Sequence, residues 1–147
     1  MARFIFPFTK LKMEDGSYMK ESKIPVTIIG KDGALEMMAV LDTGSTVSYL
    51  PLDLAEALGF DKNKANIQST EGIGGKEKIG EFEITLKITR KNQSKILNNM
   101  PIFVFMDPKI KYFILGLDPF FNNFDIAFRL LESKIELKEV SARNKKY

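Results

Sequence analysis

The residues best suited to chemistry lie in the segment Asp42-Thr43-Gly44-Ser45, which follows the apolar run Ala34–Leu41. A carboxylate at the end of such a run is partly removed from water, so hydrogen bonds must hold its ionised form. Gly44 lets backbone N–H groups approach Asp42, and the Ser45 hydroxyl can donate to it. An ordinary strand-end turn, in which Asp42 caps its own backbone, explains the same residues about equally well.

Other kinds of catalytic site are excluded by composition. The 147 residues include no His and no Cys. Ser-His-Asp triads, Cys nucleophiles, His bases, disulfides and zinc sites built on Cys and His are therefore impossible. The carboxylates do not group at the spacing of a calcium loop. We expect carboxylate chemistry with no cofactor and no metal.

Two glycine-containing segments add to the pattern. In the run from Phe113 to Asp118, Gly116 interrupts apolar residues, which indicates either close approach of another backbone, such as the Asp42 turn, or a tolerated strand-end glycine. The cluster Gly72-Ile73-Gly74-Gly75 predicts a hairpin tip, which is either a mobile cover over a groove or a plain turn. A phosphate-binding loop is not expected, because no Gly-Lys-Ser/Thr and no helix follow.

The elements that must position these residues are mostly short strands. The mostly apolar run Ala34–Leu41 suits a strand buried on both faces. Two short helices are predicted, at residues 51–59 and at residues 119–124, the second with Asp118 as N-cap and Pro119 at the first position. The fold class is therefore all-β, mainly β with two short helices. Strands are predicted at residues 3–8, 24–29, 34–41, 47–50, 81–89, 102–106, 112–115, 126–130 and 135–140.

Length and charge limit the number of domains and the classes of partner that we expect. The chain fits one domain, residues 1–140, followed by a basic tail, residues 141–147. Its 22 basic and 19 acidic residues are interspersed, whereas a nucleic-acid interface normally has a concentrated basic patch. No apolar run approaches the roughly 18 residues of a membrane helix, and the N-terminal apolar stretch is too short for a secretory signal. We expect a cytoplasmic protein that binds neither nucleic acid nor membrane.

Taken in order, the Asp-Thr-Gly-Ser segment, the glycine hairpin and the Phe-Ile-Leu-Gly segment resemble the retropepsin-like aspartic proteases. These are single-domain relatives of pepsin and include retroviral enzymes and their cellular counterparts. The resemblance covers residues 24–137, and the helix predicted after the turn is similar to the cellular members. It implies an acid-protease barrel and an endopeptidase that acts on extended polypeptide segments.

The resemblance also implies a homodimer. Aspartic proteases need two Asp-Thr/Ser-Gly turns that face each other, and this sequence has one. Two identical chains must then each contribute one Asp42, and the monomer should be inactive. Two carboxylates about 3 Å apart share one proton, so the ionised one can activate a water while the protonated one donates to the oxyanion.

Roles for individual residues follow from the same resemblance. Asp42, Thr43, Gly44 and Ser45 form the catalytic turn, in which Thr43 hydrogen-bonds across the dimer axis and Gly44 offers its carbonyl to the substrate. Substrate binding falls to Gly72, Ile73, Gly74 and Gly75. Structural support of the active turn falls to Ile114, Leu115 and Gly116.

Some positions depart from the retroviral pattern. Many retroviral enzymes carry Ala at the position of Ser45, and a hydroxyl that donates to Asp42 predicts a pH profile shifted to acid relative to Ser45→Ala. Thr46 and Leu117 stand where retroviral enzymes place an ion pair, so retroviral substrate preference is not expected to transfer. The alternative function is a catalytically silent retropepsin-like module for dimerisation or peptide binding.

Overall fold

The chain folds mainly into β-strands. The computed structural model describes residues 1–72 and 75–140. Two sequence predictions, the basic tail and the placement of Ile73 and Gly74, lie outside these residues. The strands are β1 (Arg3–Pro7), β2 (Thr9–Lys12), β3 (Tyr18–Glu21), β4 (Lys23–Ile29), β5 (Ala34–Leu41), β6 (Tyr49–Leu50), β7 (Ile67–Gly72), β8 (Gly75–Arg90), β9 (Gln93–Phe105), β10 (Ile114–Leu115), β11 (Phe124–Arg129) and β12 (Lys134–Glu139).

A barrel forms the centre of the molecule. Seven strands pair in the order β4-β5-β10-β6-β9-β8-β7, and a further pairing of β4 with β8 closes six of them into a ring. Burial alternates along β4, where Ile24, Val26 and Ile28 are buried and their neighbours are not. This alternation is typical of a strand with one face on the core. Each such side chain contributes about 1.5–3 kcal/mol by leaving water.

A second sheet packs against the barrel. Its order is β1-β12-β11, so the last described strand lies in the middle. Phe4, Phe6, Ile135 and Leu137 are at most 1% exposed and belong to the same core cluster as the barrel residues. The Phe4 and Phe124 rings meet edge to face at 6.3 Å. The short hairpin of β2 and β3 pairs only with itself.

The prediction for β5 was right in its bounds and wrong in its burial. Ala39 and Leu41 are buried, but the first five residues of the strand are exposed. Leu35 lies opposite Ile28 and Met37 opposite Val26, so both share the inner face. They nevertheless stay 36% and 39% exposed, although their partners Ile28 and Val26 are buried.

The helix predictions had different outcomes. Helix α1 (Leu52–Ala57) confirms the first, and Gly59 follows it with a positive φ of 103°. The second prediction was wrong, because the chain forms only a 3-10 turn at Phe121–Asn123. Asp118 is not its N-cap: the Asp118 N–H donates to the Thr46 carbonyl, and its carboxylate accepts from Asn122. Phe124 already pairs in β11, which leaves no length for a helix.

Some elements were longer than predicted or were missed. Strands β8 and β9 extend well beyond the predicted residues 81–89 and 102–106. Strands β2 and β3 were not predicted, because hardly any of their side chains are buried and they show no apolar period. In the part of the chain that the structure describes, no helix has the length and apolar character to cross a membrane.

Candidate active site

Asp42 directly follows β5, and the end of this strand is hydrogen-bonded to the chain on both sides. On one side, the Leu41 N–H donates to the Ser22 carbonyl at 2.8 Å, and the Ser22 hydroxyl donates back to the Leu41 carbonyl at 3.0 Å. On the other side, β10 runs parallel to β5, and the Asp42 N–H donates to the Leu115 carbonyl at 3.0 Å. These bonds fix the backbone of a half-buried carboxylate.

The turn after β5 uses one of the two carboxylate oxygens of Asp42. The Gly44 N–H donates to Oδ1 at 2.9 Å, and the Ser45 N–H donates to the Asp42 carbonyl at 3.2 Å. An ordinary strand-end turn makes the same local bonds. Among the described residues, Oδ2 of Asp42 has no hydrogen-bond partner, while Thr43 and Gly44 are exposed. One oxygen is therefore available to a water or to a second chain.

The expected hydrogen bond from Ser45 to Asp42 is wrong. The Ser45 hydroxyl donates to the Val47 carbonyl at 2.7 Å. A hydroxyl carries a single proton, so it cannot also donate to the carboxylate. The side chain stabilises the path of the turn instead, and the acid-shifted pH profile argued from Ser45 loses its basis.

Gly116 approaches the turn closely, which is the first of the two explanations that its place in an apolar run left open. A Cβ built on Gly116 would lie 2.6 Å from the Ser45 carbonyl oxygen and closer still to that of Val47. The Gly116 N–H donates to the hydroxyl of Ser48, which is 1% exposed, at 3.0 Å. The Leu117 N–H donates to the Ser45 carbonyl at 2.9 Å. The segment around β10 therefore holds the turn through backbone bonds.

The absent ion pair has a backbone counterpart. Thr46 and Leu117 are both exposed. The Thr46 carbonyl accepts from the Asp118 N–H at 2.8 Å, next to the bond between Leu117 and Ser45. The two segments are thus joined without side-chain charge, in contrast to the retroviral pattern.

Gly72 and Gly75 lie at the end of the hairpin formed by β7 and the facing part of β8, Gly75 to Gly80, which we call the flap hairpin after the cover that the sequence analysis considered. Gly72 pairs with Gly75, which has a positive φ of 103°. That conformation favours glycine. The placement of Ile73 and Gly74 stays a prediction, because they lie outside the described residues.

A strip of apolar side chains was missed by the sequence analysis. Directly paired residues share one face of a sheet. Ile114 pairs with both Val40 and Tyr49, and Phe105 pairs with Ile79. Phe103, Phe105, Tyr49, Val40 and Ile114 are half-buried and lie outside the core cluster, on the outer face of the barrel. We call Val40, Ile114, Tyr49, Phe103, Phe105 and Ile79 the outer strip.

The outer strip connects the carboxylate with the flap hairpin. Asp42 is two residues beyond Val40 and so lies on the same face of β5. The Tyr49 and Phe105 rings stack at 4.7 Å with an angle of 12° between their planes. Burial raises the pKa of the Tyr49 phenol above its ordinary value. Alternation along β5 could have identified Val40, but the aromatic residues become neighbours only through strand pairing.

The arrangement offers a half-buried carboxylate and an apolar floor. No group of three or more His, Cys, Asp or Glu side chains placed to hold a metal ion occurs within residues 1–72 and 75–140. The Asp42 carboxylate can accept or donate a proton. The outer strip beside it offers an apolar surface on which an extended polypeptide could lie.

Comparisons with known proteins concern the family and the fold. A family model described as aspartyl protease matches residues 24–118. Among solved structures, a retropepsin-like aspartic protease from Rickettsia conorii is 16% identical over 93% of this chain and 99% of that one, with a TM-score of 0.64. EIAV protease complexed with the inhibitor HBY-793 is 24% identical over 67% and 84%, with a TM-score of 0.47. No curated protein matches. The first structural likeness shows a retropepsin-like fold.

Proposed function

Because this chain belongs to the aspartyl protease family, we propose that it is an aspartic endopeptidase that cleaves extended polypeptide segments. The observation that carries the proposal is the state of Asp42. It is half-buried at the end of a doubly held strand, and one of its carboxylate oxygens has no partner in the described chain. Backbone bonds from the segment around β10 hold the turn that follows this carboxylate.

The catalytic unit is a homodimer. Each chain contributes one Asp42, and a two-fold axis brings the two carboxylates to about 3 Å, where they share one proton. The exposed Thr43 lies beside Asp42 and is free to reach the partner chain. The ionised carboxylate takes a proton from a bound water, which attacks the peptide carbonyl. The protonated carboxylate donates to the developing oxyanion, and a proton then passes to the leaving nitrogen.

The substrate lies along the outer strip, with its backbone extended. The exposed Gly44 carbonyl and the glycine tip of the flap hairpin, residues 72–75, contact it from opposite sides. Backbone pairing with an added strand supplies affinity that does not depend on sequence. The apolar strip supplies contact with alternate side chains of the peptide.

Cleavage of a peptide library by wild type and by Asp42→Asn tests this function. The change replaces the acid–base group by an amide of the same shape, so we expect cleavage to fall by at least about 1,000-fold. The assay covers acid to neutral pH, with an inhibitor of aspartic proteases as control. Equal residual cleavage in both proteins would remove the proposal. Peptide binding by a dimer without cleavage would favour the silent module instead.

A further inference from the structure

The flap hairpin has two chemically different faces. Gln68 pairs with Ile79 and Thr70 with Glu77, so these four side chains share one face. Ser69 pairs with Lys78, and Glu71 with Lys76, on the other face. All four residues of the second face are exposed, whereas Thr70 and Glu77 are half-buried.

The face that carries Glu77 is continuous with the outer strip. Ile79 is 4% exposed, yet it does not belong to the core cluster. It is therefore covered from the strip side, where it pairs with Phe105. The Met106 N–H donates to the Lys78 carbonyl at 3.0 Å and fixes the hairpin at this point. Glu77 occupies the next position on the same face, toward the tip.

The charge on this face is negative and uncompensated. Glu77 forms no ion pair or hydrogen bond within the described residues. The lysines of the hairpin, Lys76 and Lys78, alternate to the opposite face. Glu81, two residues beyond Ile79, adds a second carboxylate to the same face of β8. Lys23 pairs with Val40 at the far end of the strip, but it forms an ion pair with Glu21 at 2.8 Å.

A half-buried carboxylate at the end of an apolar strip matches one class of side chain. Arg and Lys carry an apolar stem that packs on an apolar surface and a cationic head that reaches a polar group. Their cations are also attracted to the faces of aromatic rings such as those of Tyr49 and Phe105. A carboxylate that is losing water needs a cation as partner. Acidic side chains would be repelled.

We infer that Glu77 determines specificity by selecting substrates with Arg or Lys at the position that crosses the outer strip beneath the flap hairpin. This inference rests on the proposed function, because it requires the peptide to lie along the strip. In the homodimer each half of the groove carries its own Glu77. The preference therefore falls at two positions, one on each side of the cleaved bond.

Cleavage of a position-randomised peptide library tests the inference. Wild type should favour Arg or Lys over Met at these positions by about tenfold in kcat/KM, the size of one charge-assisted hydrogen bond. Glu77→Gln should reduce this preference to less than about twofold, and Glu77→Lys should shift it toward Asp and Glu. Glu71→Gln is the matched control, because it removes the same charge from the other face. It should leave the preference unchanged.

A binding measurement separates this inference from the proposed function. Affinity for fluorescent Arg and Met versions of one peptide is measured on wild type and on Glu77→Gln, with folding checked by circular dichroism. If cleavage requires Asp42 but no basic preference exists, or if the preference survives in Glu77→Gln, the inference fails and the function stands. If nothing is cleaved, the function fails. In that case we still expect the Arg peptide to bind Glu77→Gln more weakly than wild type. Equal affinity of the Arg peptide for the two proteins would overturn the inference.

Discussion

Gly116 is the single residue whose size the turn restricts most. A Cβ at this position would lie inside the contact distance of the Ser45 and Val47 carbonyl oxygens, which are backbone atoms that cannot rotate away. We expect Gly116→Ala to lower the free energy of unfolding by about 1–3 kcal/mol or more, because overpacking forces the backbone to move. Chemical denaturation measures this change.

Gly33→Ala is the control for this prediction. A Cβ at Gly33 meets no atom within 4 Å, so the substitution should be neutral or slightly stabilising. Equal stability of the two variants would contradict the close contact between Gly116 and the carbonyl oxygens of Ser45 and Val47.

Single residues were predictable where one short segment limits the chemistry. The Asp-Thr-Gly-Ser segment and Gly116 were singled out because a carboxylate and a glycine are unusual inside apolar runs, and the catalytic role of the segment stays a proposal. The bond from Ser45 was assigned to the wrong acceptor, since Val47 and Asp42 are both within reach along the chain. Tyr49 and Phe105 were missed because they are 56 positions apart and meet only through strand pairing.

At the scale of elements, Glu139 joins three strand ends. Its carboxylate accepts from Lys95 of β9 and from the Ala2 N–H, and its own N–H donates to the Ala2 carbonyl. The hydrogen bond from Lys95 in particular holds the pKa of the Glu139 carboxyl below its ordinary value of 4.5. Glu139 therefore connects the barrel to the second sheet.

This lowered pKa predicts a pH-dependent stability. The stabilisation by Glu139 is fully present above its ordinary pKa and is lost as the pH falls through the lower folded value. Glu139→Gln should thus be less stable than wild type by about 1 kcal/mol at pH 7, and the difference should vanish in acid. Thermal unfolding between pH 7 and pH 2.5 measures it. Glu132→Gln, from the exposed pair with Lys134, should change stability by less than about 0.5 kcal/mol.

Elements were predictable where one face is buried against the core. Strand β4 and helix α1 show such a face in their sequences, and both were predicted within one or two residues at each end. The helix expected at residues 119–124 failed because pairing of Phe124 in β11 overrides the local helix signals. The β2–β3 hairpin buries almost none of its side chains, so its sequence shows no apolar periodicity from which the strands could be predicted.

At the scale of the whole molecule, the proposed two-fold assembly predicts how mixtures of chains behave. Wild type and Asp42→Asn mixed in equal amounts should exchange subunits, so that only about one quarter of the dimers hold two carboxylates. Activity per wild-type chain should then fall to about half of its unmixed value. An assay of cleavage after equilibration measures this.

The matched mixture uses denatured wild type or an unrelated protein in place of the variant. Activity that stays unchanged when Asp42→Asn is added would mean that one chain acts alone. Sedimentation at the assay concentration shows independently whether the chains associate.

The central place of β12 in its sheet has a consequence for how the protein is made. Arg3 pairs with Lys138, and β11 pairs with the other side of the same strand. Strand β1 cannot complete its ladder until residue 138 has left the ribosome, nor β11 until residue 139. Closing the long loop between β1 and β12 is entropically slow. A nascent chain halted before Lys134 would present two bare strand edges, a feature that invites pairing with neighbouring polypeptides.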